Sequence, residues 1–178
     1  MEFFECAAKR ESCRSYQPDR PVEPEKLQNM LACACSAPSA CNSQPWHFYV
    51  VQGQETGKVV PCLQSNGLNG FADQAPAFVV MTEELAALSP KLGKGVDPQA
   101  SAQMDLGIAA AHLALAATAQ GLSTCIMGWF QEERLKEELA IPCHSRIRLV
   151  VAVGYAAAEP LRPKKRRPME QSVTFCKA

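Results

Sequence analysis

Residues Gln99 to Gln120 read QASAQMDLGIAAAHLALAATAQ, and this stretch decides the fold. It has the length and composition of one long helix, and it is apolar on nearly every face rather than along one stripe. A helix of that kind is buried, in a core or against a partner chain. A membrane span is the alternative for an apolar run of this length. Alanine supplies much of the apolarity, His112 and Gln120 interrupt it, and no basic flank follows, so no span is expected. Gly121 caps the helix, and Ser123 to Met127 then reads as a strand ending at Gly128.

Working outward, Gln131 to Ala140 is an amphipathic helix. Ile147 to Tyr155, IRLVVAVGY, is the strongest strand signal in the chain, β-branched and apolar, and is expected at the centre of a sheet. Upstream, Ala77 to Met81 follows Pro76 as a second strand, and Phe48 to Val51 reads as a buried strand. Gln54 to Leu63 is a helix between them. A further helix starts near Pro24, where proline suits the first turn, and carries Leu27, Met30, Leu31 and Ala34 on one face. It ends at Ser36-Ala37-Pro38-Ser39, and residues 2–10 form a short opening helix. Residues 83–98, with two prolines and two glycines, read as a mobile surface segment. Pro160 to Pro168 is a basic, proline-punctuated arm, and Ser172 to Cys176 reads as a last strand. This order implies one layer of sheet with helices packed on it, of the α+β or α/β class, over a single domain spanning residues 1–178.

The composition fits such a domain. Of 178 residues, 47% are hydrophobic and 20% charged, which supports a sizeable core and excludes low-complexity disorder. Eighteen Lys and Arg balance eighteen Asp and Glu, so no global field favours nucleic acid or a membrane surface. The opening MEFFECAAKRESCR has an early acid and no long apolar run, so a cytoplasmic protein is expected rather than an exported one. Nine cysteines, an odd number with no C-x-x-C, argue for free and mostly buried thiols rather than a disulfide framework or a metal site.

The usual catalytic signatures are missing. The sequence holds no phosphate loop, no dinucleotide fingerprint after a strand, no H-E-x-x-H and no G-x-S-x-G elbow. A cofactor that brings its own reactivity would explain that. Three segments could hold one. Arg10-Glu11-Ser12-Cys13-Arg14 spaces two arginines and a serine by two, a set suited to phosphate, although a solvated helix end has the same appearance. Ala37 to Trp46 is a proline-fixed loop offering Ser39, Asn42 and Gln44 beside an aromatic, as a polar-edged heterocycle needs; an ordinary helix-to-strand turn is the bland alternative. Arg162 to Pro168 contains four consecutive basic residues; a nucleic-acid or nuclear-localisation patch is one reading, weakened by the neutral net charge and few interleaved aromatics, and an anionic phosphate held by one or two of them fits better.

Together these segments resemble the nitroreductase family of flavin-dependent oxidoreductases. The resemblance runs nearly end to end, through KRESCRSY, APSACNSQPWHFYVV, DQAPAFVV, DLGIAAAHLALAATAQGLSTCIMGWF and RPKKRRPMEQSV, in that order. It implies an α+β fold with a mixed central β-sheet flanked by helices, and FMN held at the interface of a two-fold homodimer. By the family's pattern, Arg10, Ser12 and Arg14 would meet the phosphate and the flavin edge, and Lys164 and Arg166 would close on the phosphate. Pro38, Ser39 and Asn42 would reach the flavin from the other subunit, and Met127 and Gly128 would lie over it. No metal and no acid–base residue is implied, because the flavin carries the chemistry. The resemblance further implies a ping-pong cycle in which NADH or NADPH reduces the flavin, and the flavin reduces a nitroaromatic, a quinone or a related acceptor. A specialised flavoenzyme acting on one metabolite and a non-catalytic FMN-binding protein are the alternatives.

Overall fold

The structure is a computed structural model, and it describes residues 2–86, 97–158 and 164–176. Most of the segment 83–98, and the arm from Pro160 as far as residue 163, lie outside the described residues. The helices are α1 (Phe3–Lys9), α2 (Pro24–Cys35), α3 (Thr56–Leu63), α4 (Ala102–Ala119) and α5 (Glu132–Leu139). The strands are β1 (Trp46–Gln52), β2 (Ala77–Glu83), β3 (Ser123–Met127) and β4 (Arg146–Gly154). They form one sheet in the order β1-β2-β4-β3, with every neighbouring pair antiparallel. A single parallel bridge, Ser12 to Thr124, adds the N-terminal segment outside β3.

β2 and β4 are central because both faces of each are covered. On one face Phe78, Val80, Val150 and Ala152 pack with Val59, Leu63 and Leu135 of α3 and α5. On the other, Val79, Met81, Val151 and Val153 pack with Leu27, Met30, Leu106 and Leu113 of α2 and α4. Each such side chain contributes roughly 1.5–3 kcal/mol on full burial, which fixes the helix–sheet–helix layering. Gly154 ends β4 where no side chain fits: a Cβ there would stand 2.7 Å from Pro76 Cδ and 2.9 Å from Tyr16 Cδ1. Tyr16 is buried, its hydroxyl donates to Ala152 O at 3.4 Å, and burial pushes that hydroxyl far above the ordinary tyrosine range.

Three expectations need correction. Phe48 to Val51 is not buried throughout: β1 is an edge strand, Val50 is exposed, and within this stretch only Val51 is fully buried. Ser172 to Cys176 forms no strand, because a strand needs a neighbour and this segment lies exposed with Val173 and Phe175 in the open. The nine cysteines are not mostly buried: four are buried, four are exposed and Cys33 is half-buried. Cys6, Cys13, Cys62 and Cys125 are buried, whereas Cys35, Cys41, Cys143 and Cys176 sit on helix ends, turns or the tail. Among the described residues no cluster of His, Cys, Asp or Glu could hold a metal, and no helix is long and apolar enough to cross a membrane.

Candidate functional site

The first half of the site forms where the two ends of the chain meet. α1 ends at Arg10, whose N–H donates to Cys6 O at 2.9 Å. The chain then turns along β3: Cys13 N donates to Thr124 O at 2.9 Å, which fixes the segment Arg10 to Arg14 against the sheet edge. From the C-terminal arm, the Lys164 ammonium donates to the carbonyls of Ala7 and Ala8 at the end of α1, where the helix dipole favours a cation. Arg166 follows, donating to Lys165 O at 2.9 Å. Partial desolvation, then the positive charges of Arg10 and Arg166, hold the Lys164 ammonium below the ordinary lysine range, with Glu11 opposing. Lys164 thus feels the positive charges of Arg10 and Arg166, an arrangement that an anion would relieve. Arg14 is exposed and Ser12 half-buried on the same segment.

The second half is the loop between α2 and β1. Pro38 is exposed, Ser39 half-buried and Asn42 exposed. Cys41, Asn42 and Gln44 all adopt left-handed backbone angles, with φ of 55°, 54° and 46°. For residues other than glycine this costs on the order of 1 kcal/mol or more each, so the surrounding contacts must impose it. Those contacts are local and dense. Asn42 N donates to Ser39 O at 3.0 Å, Ser43 N to Ala40 O at 3.0 Å, and Gln44 N to Ser39 Oγ at 3.0 Å. From outside the loop, the buried Asp105 carboxylate of α4 accepts from Ala40 N at 3.1 Å. Ser43 Oγ is buried with no hydrogen-bond partner among the described residues.

Met127 is buried at the end of β3, and Gly128 beyond it is exposed, with open space where a Cβ would stand. The turn that follows is held by Asn69, whose amide donates to Trp129 O at 3.2 Å, and by Gln131 N, which donates to Cys62 O at 2.9 Å. Near the loop's side of the sheet, Gln99 draws together the two flanks of residues 87–96. It donates to Glu83 Oε1 at 2.7 Å and accepts from Ala86 N at 2.8 Å.

Within one chain the two halves stay apart. α1 is tied to α4 at Leu115, by Cys6 Sγ, and the loop is tied to α4 at Asp105. Those anchors are ten residues apart, roughly 15 Å along a helix. Between them runs an open apolar groove of about 940 Å³, lined along α4 by Met104, Ile108, Ala111 and Leu115 with Phe3 and Cys33 opposite. Asp105 and Ser43 were not among the residues expected from sequence. Asp105 carries a usable signal, being the only formally charged residue in a mostly apolar helix, while Ser43 has none beyond its place in the loop.

The sequence model of the family described as "Nitroreductase family" matches residues 7–62 and 56–155. The chain is 30% identical to an NADH dehydrogenase of Thermus thermophilus, over 95% of this chain and 93% of that one. Among solved structures, a nitroreductase family protein of Clostridium difficile superposes with a TM-score of 0.80 at 30% identity, covering 98% of each chain. A structure described as an oxidoreductase containing FMN superposes at 0.75 with 27% identity, over 86% of this chain and 76% of its own.

Proposed function

We propose, from the premise that this chain belongs to the nitroreductase family, that it is an FMN-dependent NAD(P)H oxidoreductase working as a homodimer. The observation that carries the reading is the meeting of the two ends of the chain: the Lys164 ammonium lies on the carbonyls of Ala7 and Ala8, two residues before Arg10, with Arg166 two residues further along the arm. Three other features fit the same cofactor. The loop holds a buried, unpartnered Ser43 hydroxyl, and Ser39, whose Oγ already accepts from Gln44 N, keeps its O–H to donate. Gly128 leaves room for a flat ring to approach the backbone.

Arg10, Lys164 and Arg166 would hold the FMN phosphate, and Arg14 and Ser12 would face the flavin from the same segment. Each charge-assisted bond to phosphate is worth roughly 1.5–3 kcal/mol. Pro38, Ser39 and Asn42 would reach the flavin from the second subunit, while Met127 and Gly128 would shape the space over it. When bound, FMN supplies the redox chemistry, taking hydride from a nicotinamide and passing electrons to the acceptor. The chain itself orients the two reactants and fixes the charge around them; no side chain is assigned as an acid or base.

The dimer follows from what one copy leaves unfinished. In one copy the two halves are anchored to α4 at Leu115 and Asp105, roughly 15 Å apart along the helix, and the reading gives each flavin the Arg10 side of one copy and the loop of the other. The α4 groove, the exposed Phe3, Met104 and Ile108, and the tail residues Val173 and Phe175 are the apolar surface that a second copy would cover. Initial rates measured with NADH or NADPH against a nitroaromatic or a quinone test the reading. Parallel double-reciprocal lines are expected, as a ping-pong cycle requires. Intersecting lines would overturn the mechanism, and turnover of neither acceptor class would point to a specialised flavoenzyme. Sedimentation should give twice the chain mass of 19.3 kDa.

A further inference from the structure

Resting on the reading of residues 38–44 as the flavin-facing loop, we infer that Asp105 is a positioning residue for FMN, acting through the backbone of Ala40. α4 is apolar on nearly every face, and Asp105 is its only formally charged residue, yet it is 4% exposed. A carboxylate is retained in such a place only at a cost, which its hydrogen bonds must offset. Its position in the first turn of α4 recovers part of that cost through the helix dipole. The bond it makes outside its own helix goes to Ala40 N at 3.1 Å, the first residue of the strained turn.

That bond sets the loop. Ser39, just before it, is extended at φ −140° and ψ 156°, and the left-handed residues Cys41, Asn42 and Gln44 come directly after. Three of the loop's N–H groups are spent within the loop, on Ser39 O, Ala40 O and Ser39 Oγ. Only the Asp105 contact ties this turn to the rigid body of α4 among these bonds. It thereby sets where Ser39 and Asn42 stand, and with them the buried hydroxyl of Ser43. Asp105 touches no cofactor itself; it holds the residues that do.

The test is FMN binding to the purified protein, read by flavin fluorescence quenching, with thermal unfolding measured on the same samples. Asp105→Ala should weaken FMN binding by about tenfold, the loss of one charge-assisted bond. Asp105→Asn keeps an acceptor oxygen and should recover most of that loss. Ala40→Pro removes the donor from the other side: Ser39 already has the extended backbone that precedes proline, and the first position of a turn tolerates it. It should weaken FMN to a similar degree, and the double variant should be no worse than either single one. Leu113→Ala, a buried position on α4 away from the loop, should lower the melting temperature and leave FMN affinity unchanged. If Leu113→Ala weakens FMN as much as Asp105→Ala, or if Asp105→Ala and Ala40→Pro add, the inference is overturned. If the unaltered protein binds no FMN, the reading beneath it fails instead.

Discussion

The two halves of the candidate site are built on opposite principles. The end formed by Arg10, Lys164 and Arg166 is electrostatic: long, cationic side chains, exposed or half-buried, from residues more than 150 positions apart. The loop from Pro38 to Gln44 is geometric: short side chains, backbone angles that resist change, and an anchor in a buried carboxylate. An anion can be gripped by flexible cations because charge acts at a distance, whereas the edge of a planar ring must be met by groups already in place. The first half should answer to salt and pH, the second to substitutions that alter shape.

The largest effect should come from removing the charge. Arg10→Ala combined with Lys164→Ala should weaken FMN by about 100-fold or more, with riboflavin, which lacks the phosphate, nearly indifferent to the change. Equal losses for both flavins would dissolve the distinction between the ends. Next is the scaffold that both ends share. Gly154→Ala forces a methyl against Pro76 and Tyr16 and should cost about 1–3 kcal/mol in urea unfolding, while the folded fraction binds FMN as before. Ser39→Ala should weaken FMN and riboflavin alike, by roughly tenfold or less, with the salt dependence unchanged.

The smallest effect is in pH. Lys164 loses its proton below the ordinary lysine range, and a bound phosphate would raise that value again. FMN affinity should therefore be full while Lys164 is charged and fall as pH climbs through its lowered value. Lys164→Gln should flatten that alkaline decline, and titration of FMN binding across alkaline pH would show whether it does.

Much of the fold was legible because periodicity and turn chemistry act locally. The apolar run before Gly121 and the β-branched run at Ile147 to Gly154 have few other ways to fold. What was misread depended on neighbours. β1 is apolar enough for a core strand, yet it stands at the sheet's edge, and Val173 and Phe175 have the alternation of a strand but lie exposed, outside the sheet. The residues alone offered Arg10 and Lys164 in separate segments, and only the family resemblance brought both to one phosphate; the fold lays Lys164 on the end of α1, two residues from Arg10. Asp105 was visible as a lone charge but silent about its partner, since a hydrogen bond to a backbone N–H leaves no mark on the sequence of the loop it holds.

On this reading the chain binds FMN and passes electrons from a nicotinamide through it. The direct measurement is the visible absorbance of the purified protein, with FMN added if it is isolated colourless, followed by NADH or NADPH without oxygen. The expected result is a bound flavin spectrum that bleaches with one or both donors. A protein that takes up no FMN, or one whose bound flavin neither donor bleaches, would contradict it.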